Sequence, residues 1–130
     1  MPITRIKDLH GRNLALPRGS YVGFPIATDP EIRRFSTNGY AQSARLLKAG
    51  RVDAIAGTAL SIYYHLSVMK MGRTDIGGIL SFASKPVWLH CAKRQLSEKL
   101  VVRMRQATNS LRKEGAFRRM LDRYVPVGFR

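Results

Sequence analysis

Leu46-Leu47-Lys48-Ala49-Gly50-Arg51-Val52-Asp53-Ala54-Ile55-Ala56-Gly57-Thr58 is the stretch whose reading decides the fold. Its first residues continue a helical pattern that starts at Tyr40 and sets Tyr40, Ala44 and Leu47 on one face. Gly50 ends that helix, because glycine enters the left-handed conformation after a helix without a steric cost. Arg51 and Val52 lead into Asp53-Ala54-Ile55-Ala56, short and small enough for a strand buried on both faces. Gly57-Thr58 opens the next turn, and a second helical pattern begins at Ala59. The order is helix, tight turn, buried strand, helix. Ligands of open α/β sheets bind beyond the carboxyl ends of such strands, which is where Gly57 and Thr58 fall.

Working outward toward the amino end, Ile6-Lys7-Asp8-Leu9-His10-Gly11 reads as a turn of helix and a glycine turn. Leu14-Ala15-Leu16-Pro17 follows as a strand, with the proline at its end or on an edge. Arg18-Gly19-Ser20-Tyr21 then stands at that strand's carboxyl end. A glycine and a hydroxyl residue before a helix suit an anion-binding helix N-terminus, with free N–H groups and close backbone approach. The plainer reading of the same residues is a turn capped by Ser20. Asp29-Pro30-Glu31 has the form of a helix start, with Asp29 as N-cap, Pro30 at the first position and Ile32 and Phe35 packed inward. Phe35 to Gly39 reads as a short strand or extended segment before the Tyr40 helix.

Toward the carboxyl end, Leu60, Tyr63, Tyr64 and Met71 share one side of a helix that stops at Gly72, and core packing is the expected role of both tyrosines. Ile76-Gly77-Gly78-Ile79-Leu80-Ser81-Phe82 reads as a strand weakened by two glycines. Pro86 to Ala92 reads as another, with Val87, Leu89 and Cys91 on one face and Trp88 and His90 on the other. Ser97 and Glu98 begin the longest helix, whose apolar stripe is Leu100, Met104, Ala107 and Leu111 up to Gly115. A last helix carries Phe117, Met120, Leu121 and Tyr124 and stops at Pro126. Strand and helix alternate from Leu14 to Asp53, so the expected class is α/β, an open, mostly parallel sheet with helices on both faces.

Composition narrows the function. The chain has 130 residues, 45% of them hydrophobic, enough for a real core, and no run that reads as a membrane span or a secretory signal. One cysteine, Cys91, excludes an internal disulfide, and His10, His65 and His90 have no metal-ligand spacing. Lys and Arg number 23 against 8 Asp and Glu, a net charge of +15. Residues 85–130 alone hold twelve of the basic residues and three of the acidic ones. Such an excess attracts nucleic acid, anionic lipid or an anionic solute without choosing among them.

The order of motifs resembles one family, the bacterial extracellular solute-binding proteins of the amino-acid type, with the type II periplasmic-binding fold. The residues that carry the resemblance are Asp8-Leu9-His10-Gly11-Arg12, Pro17 to Tyr21, Leu47 to Ala54, Pro86 to Lys93, Leu111 to Gly115, and Arg123-Tyr124. The resemblance covers almost the whole chain, each motif being weak alone. It implies a second lobe over about Ile3 to Ser84 (residues 1–84), followed by a returning segment over residues 85–130. The opening part of the family's first lobe and its export signal have no counterpart, as expected of a truncated product or a one-lobed descendant.

By the same resemblance the ligand's acidic group is held at Gly19, Ser20 and Tyr21, with Arg18 beside them. Thr58 occupies the position where the family often carries a carboxylate for an α-ammonium group. A threonine cannot pair with an ammonium, so a small anionic or carboxylate-bearing solute is expected. Asp53 is expected to be structural. The resemblance implies a non-catalytic component of an ABC transporter, periplasmic, with a membrane permease as partner and no cofactor or metal.

Two other classes compete. One is nucleic-acid binding through Lys99, Arg103, Arg105, Arg112, Lys113, Arg118, Arg119 and Arg123, for which a solvated basic helix face is the plainer reading and no sequence-specific motif is present. The other is a regulatory effector domain, which would need a DNA-reading domain that this sequence does not contain. In the family that the chain resembles, the returning segment packs against the first lobe, so by that resemblance Val87, Leu89, Cys91 and the stripe of Leu100, Met104 and Leu111 lack a native neighbour. Self-association as a homodimer through residues 85–130 is expected, with folding of the two helices back onto residues 1–84 as the alternative. Apolar contact should outweigh repulsion, which physiological salt screens beyond roughly 8 Å. The edges of a strand at Pro86–Ala92 would add pairing.

Overall fold

A computed structural model of the protein describes residues 3–92 and 97–125. Contacts divide these residues into two units: one runs to Phe82 and takes in Val125, and the other spans Ala83–Tyr124. Lys93 and Pro126 lie outside the described residues.

The first unit is α/β. Its central strand, β1 (Asn13–Pro17), is flanked by β2 (Arg33–Thr37) and β3 (Ala54–Ile55), in the order β2-β1-β3, with both neighbours parallel to it. Ala15 stands opposite Phe35 on one side and Ile55 on the other. Successive side chains of a strand alternate between faces, and both faces here are covered. Leu14 and Leu16 join Leu9, Ile26, Ile32 and Ala56 in one buried cluster. On the other face, α2 (Tyr40–Lys48) and α3 (Ala59–Val68) supply Ala44 and Leu66, which pack with Val125 and the partly buried Ile55, Leu47, Ile62 and Tyr63. Full burial of each large aliphatic side chain stabilises by about 1.5–3 kcal/mol, so this double-faced core holds the unit together.

Local chemistry sets the element ends. Gly50 adopts φ +66° beyond the α2 C-cap Ala49, and the Arg51 N–H reaches back to the Leu46 carbonyl at 2.9 Å. That is the left-handed helix termination for which glycine is suited. Asp53 clamps β3 to β1: its carboxylate accepts the Asn13 N–H at 2.7 Å and its own N–H donates to the Asn13 carbonyl at 2.8 Å. A buried hydroxyl pair, Thr37 and Ser43 at 2.8 Å, ties the end of β2 to α2.

Four sequence expectations are corrected. Asp29 is not an N-cap: it closes a short helix, α1 (Pro25–Thr28), and the chain passes through a turn into β2. Its carboxylate does accept the N–H two residues on, at Glu31, as a capping side chain would, but in an Asx turn, and Pro30 suits that turn equally well. Phe35 lies on an edge strand and is 47% exposed, whereas Ile32 is buried. Ile76–Phe82 is not a strand; Gly78 runs so close to the Ile3 backbone that a Cβ there would meet it at 2.9 Å, and Phe82 turns in to pack on Tyr21 and Phe24. Pro86–Ala92 is likewise irregular and exposed. Alternating apolar residues make a strand only beside a partner that takes their N–H and C=O groups, and among the described residues the sheet ends at β3.

The second unit holds two helices. Ser97 caps α4 (Glu98–Lys113), its hydroxyl accepting the Leu100 N–H at 3.3 Å. Gly115, at φ +70°, separates α4 from α5 (Ala116–Tyr124). Neither helix contains a buried residue.

Candidate ligand site

The sheet order places the candidate residues. After β1 the chain goes to β2 on one side; after α2 it passes to β3 on the other side of β1. The loops leaving β1 and β3 therefore diverge, and this switch point is where open α/β sheets accept ligands. Arg18–Tyr21 follow β1 directly, and Thr58 follows β3 by three residues.

The Arg18–Ser20 turn is closed on itself. The Arg18 N–H donates to the Thr37 carbonyl at 2.9 Å, tying the turn to the end of β2. Ser20 directs both its N–H, at 3.1 Å, and its hydroxyl, at 2.5 Å, to the Pro17 carbonyl. Gly19 at φ +70° allows that tight return. The next helix starts only at Pro25, after Phe24, and has four residues, so Ser20 is not a cap and no helix N-terminus opens at Ser20. The expectation of an anion-binding helix end is corrected: the turn reading describes these residues, and the Ser20 oxygen is left as an acceptor rather than a donor.

Tyr21 is the residue the turn presents. It holds φ +60°, a left-handed conformation that costs a non-glycine residue steric energy. The other such residue, Lys70, sits just beyond the C-cap of α3, where that conformation is common; Tyr21 follows no helix. Its ring is wedged edge-on between Phe82, at a centroid distance of 5.4 Å, and Phe24, at 6.3 Å. Its hydroxyl reaches that of Tyr40.

Tyr40, at the first position of α2, joins the two loops. The Thr58 N–H donates to the Tyr40 oxygen at 3.4 Å, and the Thr58 hydroxyl lies 2.9 Å from Ser61 Oγ. The Tyr40 ring lies over Gly57 so closely that a Cβ there would fall 2.2 Å from Cε1, which explains a glycine at this point. Burial lifts the Tyr21 phenol above the ordinary tyrosine value, and donation to Tyr40 adds to the rise. Burial also pushes Tyr40 upward, but the hydrogen bonds it receives from Tyr21 and Thr58 together outweigh burial and hold it below the ordinary value. With the Thr58 N–H on its oxygen, the Tyr40 hydroxyl keeps its own proton for a further acceptor.

Of the sequence-predicted residues, Tyr21 and Thr58 are thus brought together through Tyr40. Arg18 and Gly19 are exposed at the rim, and Ser20 is turned to its own strand. Tyr40 and Ser61 were not among the expected site residues. Tyr40 reads in the sequence as one more apolar helix position, and its neighbours Tyr21 and Gly57 are nineteen and seventeen residues away.

A separate open depression of about 360 Å³ lies at the carboxyl ends of α2 and α3, lined by Leu47, Lys48, Lys70, Met71 and Asp75. Its polar groups serve the fold: Lys48 Nζ donates to the Met69 carbonyl at 2.8 Å, and Asp75 accepts the Gly72 N–H at 2.6 Å. Among the described residues no group of three or more His, Cys, Asp and Glu is placed to hold a metal ion, and no helix is long and apolar enough to cross a membrane. No protein-family model matches the chain, and no curated protein matches it at a significant level.

Proposed function

We propose that this chain is a non-catalytic solute-binding lobe of the amino-acid type, similar to the substrate-binding components of ABC transporters, and that it takes a small carboxylate-bearing solute at the carboxyl ends of β1 and β3. The observation that carries this reading is the convergence of Tyr21, Tyr40 and Thr58 at the switch point of the sheet. The Tyr40 hydroxyl donates to the solute's carboxylate, Arg18 at the rim supplies positive charge, and Thr58 and Ser61 offer neutral polar contacts. Without a carboxylate at position 58 the site favours an anion over a zwitterionic amino acid. Binding rather than catalysis is supported by Ser20, whose hydroxyl donates to the Pro17 carbonyl and not to a base. The same reading puts the protein in the periplasm with a permease as its partner.

Calorimetric titration of succinate and benzoate into the full chain tests this, with Tyr40→Phe as the variant. Phenylalanine keeps the ring over Gly57 and removes the hydroxyl, which is both the donor to the solute and the acceptor of the Thr58 N–H. A hydrogen bond to a charged group contributes about 1.5–3 kcal/mol, so affinity should fall by about tenfold or more. Equal affinity in the variant, or no binding of either carboxylate, would remove the site.

A further inference from the structure

The helices of the second unit carry a surface that solute binding leaves without a role. At 3.6 residues per turn, Phe117, Met120, Leu121 and Tyr124 of α5 fall within about 100° of arc. All four are open to solvent, Met120 at 57% and Tyr124 at 52%. Arg118 and Arg123 flank that arc on its two sides, and Arg119 and Asp122 lie on the opposite side. In α4 the stripe of Leu100, Met104, Ala107 and Leu111 is bordered by Arg103 on one side and Arg112 on the other. Ahead of α4, Val87 is 98% and Trp88 72% exposed in a segment without regular structure. Residues 83–124 hold eleven Lys and Arg against three Asp and Glu.

The occupant of this surface must match apolar stripes and a strong positive charge together. Nucleic acid answers the arginines but leaves Phe117, Met120 and Leu121 in water. A second copy answers the apolar stripes but brings the same excess of arginines against their borders, and the irregular 86–92 segment offers no strand edge for exchange. A lipid surface with anionic headgroups answers both. Its acyl boundary accepts the apolar arc, its phosphates pair with basic side chains that bury their stems and extend their charged ends, and Trp and Tyr favour the interface. No described helix is long and apolar enough to cross the bilayer, so the helices would lie on it.

We propose that α4 and α5 form a peripheral docking surface for an anionic lipid bilayer, with the apolar arc of α5 in the headgroup–acyl boundary and the flanking Arg118 and Arg123 on lipid phosphates. Trp88, the one tryptophan of the chain, is the reporter. The full chain is titrated with vesicles of phosphatidylglycerol and phosphatidylcholine, and with vesicles of phosphatidylcholine alone. Binding to the anionic vesicles, with a blue shift of Trp88 and release by salt, is the expected result.

The paired variant Arg118→Gln/Arg123→Gln should bind about twentyfold more weakly, near fivefold per residue. Phe117→Ser/Leu121→Ser leaves the charge unchanged and should lose at least about tenfold. Circular dichroism checks that both variants keep their helices, and because these side chains are exposed the core of the first unit is untouched. Equal binding to both vesicle types, or full binding by the serine variant, would overturn the proposal. So would absence of vesicle binding, whether accompanied by a salt-sensitive complex with duplex DNA or by a dimer in light scattering that Phe117→Ser/Leu121→Ser dissolves.

Discussion

In the first unit β1 sends Leu14 and Leu16 to one face and Ala15 to the other, and all three are buried. In the second, α4 and α5 run for sixteen and nine residues without one buried side chain. The two regions share a basic composition, yet one is specified by contacts between distant segments and the other by local signals: a serine cap, a glycine break and helical periodicity. Helical periodicity without burial stabilises little, because most helix stability in proteins comes from packing an apolar face. The contrast divides the roles as well. The proposed ligand site depends on three segments meeting at one end of a sheet, while the basic apolar surface is a property of single helices.

The largest effect that tests this contrast comes from equal truncations in the two units. Leu14→Ala removes a side chain that is 1% exposed and should cost about 2–5 kcal/mol in urea unfolding followed by circular dichroism. Leu111→Ala, in α4, should change stability by no more than about 0.5 kcal/mol. Similar values for both would mean that the second unit has a packed core of its own.

A smaller effect probes the site within the first unit. In Gly57→Ala the new methyl group must displace the Tyr40 ring, whose edge occupies the space a Cβ would take. Overpacking of this kind costs about 1–3 kcal/mol, and with Tyr40 moved the binding of succinate should weaken as in Tyr40→Phe. Loss of stability with unchanged binding would separate Tyr40 from the ligand.

The smallest effect is the acid response. Hydrogen bonds from Thr4, with Arg5 beside it, hold the Asp8 carboxyl well below the usual range, and the hydrogen bond from His10 lowers Asp29. A carboxyl whose folded value is depressed stabilises the fold fully above its unfolded value near 4, and loses that contribution as pH falls through the folded value. The thermal midpoint of the first unit should therefore fall below about pH 4, and Asp8→Asn should flatten that limb. An unchanged acid limb in Asp8→Asn would assign the pH dependence to other groups.

The legible parts of the sequence were those set by local chemistry. Gly50 marked the end of α2, Asp53 to Ala56 marked a strand, though a half-buried edge strand of Ala54 and Ile55 rather than one buried on both faces, and Ser97 marked the start of α4. Positions set by distant neighbours were not legible. Asp29-Pro30 reads as a helix start because an N-cap and an Asx turn use the same side-chain oxygen on the same N–H. Val87, Leu89 and Cys91 alternate as a strand would, but nothing in that stretch reveals whether a pairing edge exists. Within the site, Thr58 and the Arg18–Tyr21 turn could be placed at strand ends by order alone. Tyr40 could not, because its role comes from lying over Gly57 and between Tyr21 and Thr58.

Nitrogen–proton correlation spectra of the full chain, recorded while succinate is added at constant ionic strength, put the ligand site to the most direct test. Both units report at once, and matched sodium chloride removes the general effect of an anion on a basic protein. Shifts concentrated at Gly19, Tyr21, Tyr40, Gly57 and Thr58, with residues 98–124 unmoved, are the predicted result. Shifts confined to residues 98–124, or none that exceed those caused by chloride, would contradict it.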